Sequence, residues 1–243
     1  MIFAAGLGTR LKPFTDHHPK ALAVINGKTL LQRNVEYLVR FGITDIIVNV
    51  HHFADQVKKV LAKNNGFGGN ISISDESNAI LETGGGLKKA EWFFNDSTLP
   101  FVVINVDVLT DMDLGEMISQ HKKLQPLATL AVTSRKTSRY FLFDEMLNLC
   151  GWKNEKTGEQ KISREAAIFI QKAFSGIHVI SPAIFSLMRT SASPSGTKDK
   201  FSMVDVYLEF AKTHAIAAFD HSNTKFIDVG KPESIEKAEK IFA

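Results

Sequence analysis

The sequence predicts a doubly wound α/β domain on a mixed, mainly parallel sheet, with a small antiparallel extension. Three observations carry this. Short apolar runs of strand length alternate with amphipathic stretches of helix length along most of the chain. The first run, Ile2-Phe3-Ala4-Ala5, leads directly into a glycine loop, as a strand of an open α/β sheet does at its carboxyl end. Finally, 243 residues, 44% of them hydrophobic, suffice to bury one sizeable core, so a single domain over 1–243 is expected.

The elements follow in order. After the glycine loop, Pro13 and Pro19 fix φ and remove donors, which marks the stretch between them as an ordered loop rather than a helix. Thr29-x-x-Gln32 can cap a helix whose apolar residues Leu31, Val35, Leu38 and Val39 keep one face and which ends at Gly42. Asp45–Val50 reads as a buried strand, Ala54–Ala62 as a helix and Ile71–Ser74 as a strand. Gly84–Gly86 leads into a short helix, Phe101–Asn105 is a buried strand, and Asp113-x-x-Glu116 opens a helix to Leu124. Leu127–Thr133 is a further strand. Phe141, Phe143, Leu147 and Leu149 alternate like one antiparallel strand, and Lys153–Ser163 reads as an exposed hairpin loop. Ala166–Val179 returns to strand character with Ser175-Gly176 in its middle. Pro182 starts a helix, Thr190–Lys200 is expected to be a mobile loop, and Pro232 starts a last helix with Ile235, Ala238 and Ile241 inward. No internal repeat and no domain linker is visible.

Composition excludes several classes. A net charge of +3, dispersed along the chain, argues against nucleic acid and against an anionic membrane surface. Cys150 is the only cysteine, which rules out an internal disulfide or a cysteine metal cage. No apolar run approaches the ~20 residues of a membrane helix, and no signal peptide precedes the loop, so a cytoplasmic protein is expected. Oligomeric state is not legible in these patterns.

The densest chemistry lies between Gly6 and Leu22, which read GLGTRLKPFTDHHPKAL. Gly6 and Gly8 let the backbone turn tightly and expose N–H groups to an anion, because no Cβ blocks the approach. Arg10 offers a planar, permanently charged fork to phosphate oxygens, and Lys20 adds a point charge able to follow a reacting phosphoryl group. The set suits a polyphosphate. It is neither a Walker A loop, since no GxxxxGK[ST] occurs, nor a dinucleotide fingerprint, since Leu11 stands where the third glycine belongs. The bland alternative is a glycine turn with a stray arginine.

Asp107 follows the strand Phe101–Asn105, and Asp228 ends a second short apolar stretch before a glycine. Two carboxylates converging on one point would suit Mg²⁺, a hard cation that shares its shell with phosphates. Either aspartate alone reads equally as a cap or turn residue. Asp113 is better placed as an N-cap, and Asp111 stays undecided. In Glu82-Thr83-Gly84-Gly85-Gly86 the glycines let a flat ring approach the backbone, or else mark a close packing contact. His17-His18 and His51-His52 lack the i, i+4 spacing of helical metal ligands and read as solvated loop histidines.

Gly6-x-Gly8-Thr9-Arg10-Leu11-x-Pro13-x-Thr15, closing on Pro19-Lys20-x-Leu22, resembles the opening motif of the sugar-1-phosphate nucleotidylyltransferases. Leu81–Gly86, Asn105–Asp111 and Phe226–Gly230 resemble later segments of the same family, in the same order. The likeness is nearest to its short muramate-1-phosphate uridylyltransferase and mannose-1-phosphate guanylyltransferase-like branch. It implies a Rossmann-like nucleotidyltransferase fold whose antiparallel extension lies on the sugar side, and transfer of a nucleotidyl group from a nucleoside triphosphate to a sugar-1-phosphate with Mg²⁺. Arg10 and Lys20 then become catalytic, and Asp107 and Asp228 metal ligands. Gly6, Gly8, Thr9, Glu82, Gly84 and Gly85 become nucleotide-binding, and Asn105, Ser175 and Gly176 sugar-binding. UTP is the first choice, with N-acetylmuramate-1-phosphate as a candidate sugar; GTP with mannose-1-phosphate is the runner-up. A non-catalytic nucleotide-sugar-binding module is the alternative from another class.

The chain departs from the family pattern in three places. Val106 stands where a glycine often precedes the metal aspartate, adding bulk near the expected ribose and sugar. No Glu-Lys-Pro motif occurs in the middle of the chain, and Ser175 replaces a common asparagine. A C-terminal hexapeptide-repeat domain is lacking, so no second acyltransferase activity is expected. Relatives also carry a few residues ahead of the position of Met1, so the start is read as late or trimmed and the first strand as short.

Overall fold

A computed structural model describes residues 1–95, 97–190 and 199–243. The chain is mixed α/β and divides into two compact units. The expected mobile loop Thr190–Lys200 falls mostly on 191–198, outside the described residues.

The first unit takes in Met1–Glu82, Ile104–Met112 and Thr224–Ala243. Its sheet is parallel. Ile2–Phe3 pairs with Asp45–Val50 on one side and with Ile104 and Asn105 on the other, and Asp45–Val50 pairs in turn with Asn70–Asp75. Ile46, Ile47, Val48 and Val50 are at most 1% exposed, the signature of a parallel strand covered on both faces. The helices Leu30–Arg40 and Ala54–Lys63 connect these strands. Thr29 caps the first through the N–H of Gln32, and Gly42 leaves it at φ 77, where a Cβ would be strained. A short antiparallel pair joins Val108–Thr110 to Phe226–Asp228, and the helix Pro232–Ile241 ends the chain's regular structure with Ala238 buried. The stretch from Thr9 to Leu22 holds three 3₁₀ turns, Thr9–Leu11, Phe14–Asp16 and Lys20–Leu22, and no α-helix.

The second unit takes in Thr83–Val103 and Asp113–Asn223. Asp113 caps the helix Leu114–Leu124 through the N–H of Glu116. The strand Ala128–Thr133 is buried throughout and pairs parallel with Ile216–Asp220 and antiparallel with Ile170–Ile180. Beyond Ile170–Ile180 the antiparallel extension continues through Arg139–Phe143, Leu149–Asn154 and Gln160–Ile162. Two buried histidines serve this packing. His121 bonds Thr129 and His178 bonds Tyr207, and burial pushes their pKa values down to about 4 and about 3, so both stay neutral.

Several expectations need correction. The alternation from Phe141 to Leu149 is a hairpin rather than one strand, because Asp144 accepts the N–H of Asn148 and Leu147 turns at φ 60. The strand expected from Ala166 begins at Ile170. The helix Met203–Phe210 and the strand Ile216–Asp220 escaped the sequence reading. Buried Met203, Val206, Tyr207 and Phe210 keep the i, i+3, i+4, i+7 spacing of one face, but apolar Val204 and Leu208 beside them blur it over only eight residues. Its cap is nonetheless legible in Ser202-x-x-Asp205, where Ser202 accepts the N–H of Asp205.

Candidate active site

The glycine loop is built from its own backbone. Gly8 sits at φ 63, where a Cβ would stand 2.9 Å from Thr15 Cγ2 and 3.1 Å from Lys20 Cβ, so glycine is required on both conformational and steric grounds. The Gly8 carbonyl accepts from the Leu11 N–H at 2.8 Å and from the Thr15 hydroxyl at 3.0 Å. Buried Leu11 anchors the turn from below, while Gly6, Thr9 and Arg10 stay exposed. The N–H groups of Gly6, Leu7 and Gly8 find no acceptor among the described residues, and a Cβ on Gly6 would meet nothing within 4 Å. Open N–H groups on a bare backbone make an anion-binding concavity.

The charged residues gather in the same unit. Lys20, 9% exposed, donates to Asp107 Oδ2. Asp228 lies opposite Val108 in the antiparallel pair, and the Val229 N–H donates to the Asp107 carbonyl at 2.8 Å, so both aspartates belong to neighbouring positions of one ladder. Arg10 reaches the same place. A Cβ on Gly230 would stand 2.7 Å from Asp228 Oδ1 and 3.0 Å from Arg10 Nη2, so that glycine makes room for both groups. Among the described residues no cluster of three or more His, Cys, Asp or Glu side chains could hold a metal alone. Two hard carboxylates do fit a cation whose remaining ligands come from phosphates and water. Asp111 has a structural role, accepting the Lys225 N–H at 2.8 Å. Val106 is 5% exposed, so its side chain is core and adds no bulk to the loop's open side.

Three buried residues escaped the sequence reading. Asn49 Oδ1 accepts from the Ala4 N–H at 2.7 Å, and its Nδ2 donates to Glu76 Oε1 at 2.8 Å, fixing the strand end that feeds Gly6. Asn34 binds the carbonyls on either side of Asp107. The available signal was a polar residue at an apolar position: Asn49 interrupts a strand and Asn34 a helix stripe.

Asn105 ends its strand half-buried opposite Phe3. Glu82 closes the first unit, exposed and at φ 59. The remaining expected contacts lie in the second unit. Gly84 and Gly85 are buried, and both donate to the Phe201 carbonyl, at 2.9 and 3.2 Å. A Cβ on Gly84 would stand 2.7 Å from Phe201 Cε2, so the ring that approaches this glycine is Phe201 itself. Ser175 is 2% exposed and hydrogen-bonded to His221 at 2.7 Å. Gly176 turns beside it at φ 75, in the irregular register between Phe174 and His178. His17, His18 and His52 are exposed and His51 bonds the Glu76 carbonyl, in keeping with loop histidines.

The chain is similar to known proteins along its length. An N-acetylmuramate alpha-1-phosphate uridylyltransferase from Caulobacter vibrioides is 28% identical over 98% of this chain and 94% of its own length. Mannose-1-phosphate guanyltransferase beta-A from Xenopus laevis is also 28% identical, over 96% of this chain and 61% of its own length, so the chain spans about three fifths of that relative. Among solved structures, HddC from Yersinia pseudotuberculosis complexed with GMP-PN matches with a TM-score of 0.76 at 27% identity, covering 100% of this chain and 98% of that one. The family model for nucleotidyl transferases matches residues 1–243. Because that match takes in the loop and both aspartates in order, the chain belongs to the nucleotidyl transferase family.

Proposed function

We propose that the protein joins a nucleoside triphosphate to a sugar-1-phosphate, giving a nucleotide sugar and pyrophosphate, and that residues 1–243 act as one nucleotidyltransferase domain. The observation that carries this is the meeting of Arg10, Lys20, Asp107 and Asp228 around one open glycine loop. A phosphate oxygen of the sugar-1-phosphate attacks the α-phosphorus, and the bond to the β-phosphate oxygen breaks. The attacking group is already ionised, so no protein nucleophile or general base is needed. Catalysis rests on alignment and on neutralising charge as pyrophosphate leaves.

Each residue then has a part. The loop from Gly6 to Thr9 holds phosphate oxygens on its N–H groups, and Arg10 takes the β/γ end. Lys20 follows the α-phosphate and the incoming phosphate. Asp107 and Asp228 hold Mg²⁺, which when bound screens the phosphate charges that would otherwise repel one another. Glu82, Gly84 and Gly85 are the residues proposed for the nucleotide base, although the N–H groups of both glycines already bond the Phe201 carbonyl. Asn105, Ser175 and Gly176 are the residues proposed for the sugar. UTP is the proposed base donor and N-acetylmuramate-1-phosphate the first sugar to try. No helix among the described residues is long and apolar enough to cross a membrane; action in the cytoplasm without nucleic acid or membrane is part of the proposal.

The test is pyrophosphate release by the purified protein from ATP, GTP, CTP, UTP and dTTP across a panel of hexose-1-phosphates with Mg²⁺. Release with one pair well above the others is the expected result. None from any pair would overturn the reading and leave a binding module, which calorimetry would reveal as tight nucleotide-sugar binding without turnover.

A further inference from the structure

Asn34 is the one polar residue in the buried stripe of the helix Leu30–Arg40, among Leu30, Leu31, Val35 and Leu38. It is 2% exposed. Asparagine is a poor helix former, and a buried amide is tolerated only where its donors are used. Here Nδ2 reaches the Leu30 carbonyl at 2.9 Å, the Val106 carbonyl at 2.9 Å and the Val108 carbonyl at 3.3 Å. The last two bracket Asp107. The same segment is held from other directions, by the Val106 N–H on the Phe3 carbonyl at 3.0 Å and by the Val229 N–H on the Asp107 carbonyl at 2.8 Å. Only the Asp107 side chain is left to respond to what approaches it.

We propose that Asn34 is a positioning residue for the transfer reaction, an amide clip that fixes the Val106–Val108 backbone so that Asp107 presents its carboxylate at one place. The proposal rests on the nucleotidyl-transfer reading above. Mg²⁺ demands near-octahedral ligands at about 2.0–2.1 Å, so a small drift of one carboxylate weakens the cation long before the chain unfolds. A drift of about 1 Å can also slow an aligned reaction by about 10²-fold. A role in packing alone predicts something different: stability would change while the cation requirement stayed where it was.

The experiment compares full-length wild type with Asn34→Leu, which keeps the volume without a donor, and Asn34→Ser, which keeps one donor and leaves room for a water. Val35→Ala, from the same buried stripe and outside the site, is the control. Mn²⁺ affinity is measured by EPR titration without substrates, and the Mg²⁺ concentration for half-maximal pyrophosphate release is measured beside it. Asn34→Leu should weaken Mn²⁺ at least ~10-fold and raise the Mg²⁺ midpoint by a similar factor, as loss of a residue orienting a ligand does. Asn34→Ser should fall between, and Val35→Ala should melt earlier with both metal values unchanged. Wild-type metal values in both Asn34 variants overturn the proposal; if Asn34→Leu fails to fold, wild-type values in Asn34→Ser alone overturn it. A wild-type protein that neither binds Mn²⁺ nor releases pyrophosphate instead overturns the underlying reading, and the proposal falls with it.

Discussion

Lys20 and Asp107 face each other directly, and both are largely shielded from water, with side-chain exposures of 10% and 19%. Shielding strengthens whatever either group does to a phosphate, and it makes removing one member consequential for the other. The two substitutions should therefore separate by what they remove. Asp107→Asn keeps size and most hydrogen bonding but deletes the charge, and should lower turnover by at least ~10²-fold, the scale of losing one preorganised electrostatic contact. Lys20→Ala should lower kcat more than nucleotide affinity if, as proposed, Lys20 follows charge that develops during transfer. Arg10→Ala should put a larger share into KM, since the β/γ contacts proposed for it would already exist in the ground state. His17→Ala and Cys150→Ser, at an exposed loop and a buried thiol respectively, should stay within a few-fold. Steady-state kinetics at saturating Mg²⁺ reads all five; a Lys20→Ala enzyme changed only in KM would overturn the role given to Lys20.

The glycines show how the same residue type serves two kinds of element. Gly6 lies in a loop with nothing within 4 Å of an added Cβ, whereas Gly84 lies in the helix Glu82–Lys89 with the Phe201 carbonyl 2.9 Å from one. Gly84→Ala should consequently cost ~1–3 kcal/mol of stability by overpacking. Gly6→Ala should stay within about 0.5 kcal/mol in denaturant unfolding and instead weaken nucleotide binding, because its Cβ stands where an anion must approach. Equal stability losses at the two sites would contradict this division. The contrast also explains what could be read from sequence. Elements with a period or a cap were legible: Thr29 and Asp113 cap their helices as expected, and Asp45–Val50 and Phe101–Asn105 match to the residue. Met203–Phe210 was missed despite its cap and spacing, because the helix has only eight residues and apolar Val204 and Leu208 blur its one face. In the site, charges on short motifs were legible. The amides of Asn34 and Asn49 were not, since they bond backbone groups up to 74 residues away and, for Asn49, the Glu76 carboxylate, and no local pattern announces them.

Which nucleotide the whole molecule prefers depends on features no single side chain supplies. The two relatives that differ in base are equally similar, at 28% identity each, so identity alone does not choose between them. Extent does not decide it either: this chain spans 94% of the uridylyltransferase and 61% of the guanyltransferase, but also 98% of HddC complexed with GMP-PN. On the proposed assignment UTP should be the best stabiliser. A ligand at 100 times its dissociation constant adds ~2.7 kcal/mol, and a chain of this size gains about 2–4 °C per kcal/mol, so a melting shift of roughly 5–11 °C is expected with Mg²⁺. The shift should shrink in EDTA, which removes the cation proposed to join the phosphates to Asp107 and Asp228. GTP and dTTP at the same concentration should move the midpoint by less than half as much. A larger shift with GTP would transfer the assignment to the guanylyl side of the family, and equal shifts with all triphosphates would mean that the loop holds phosphates while the base goes unread.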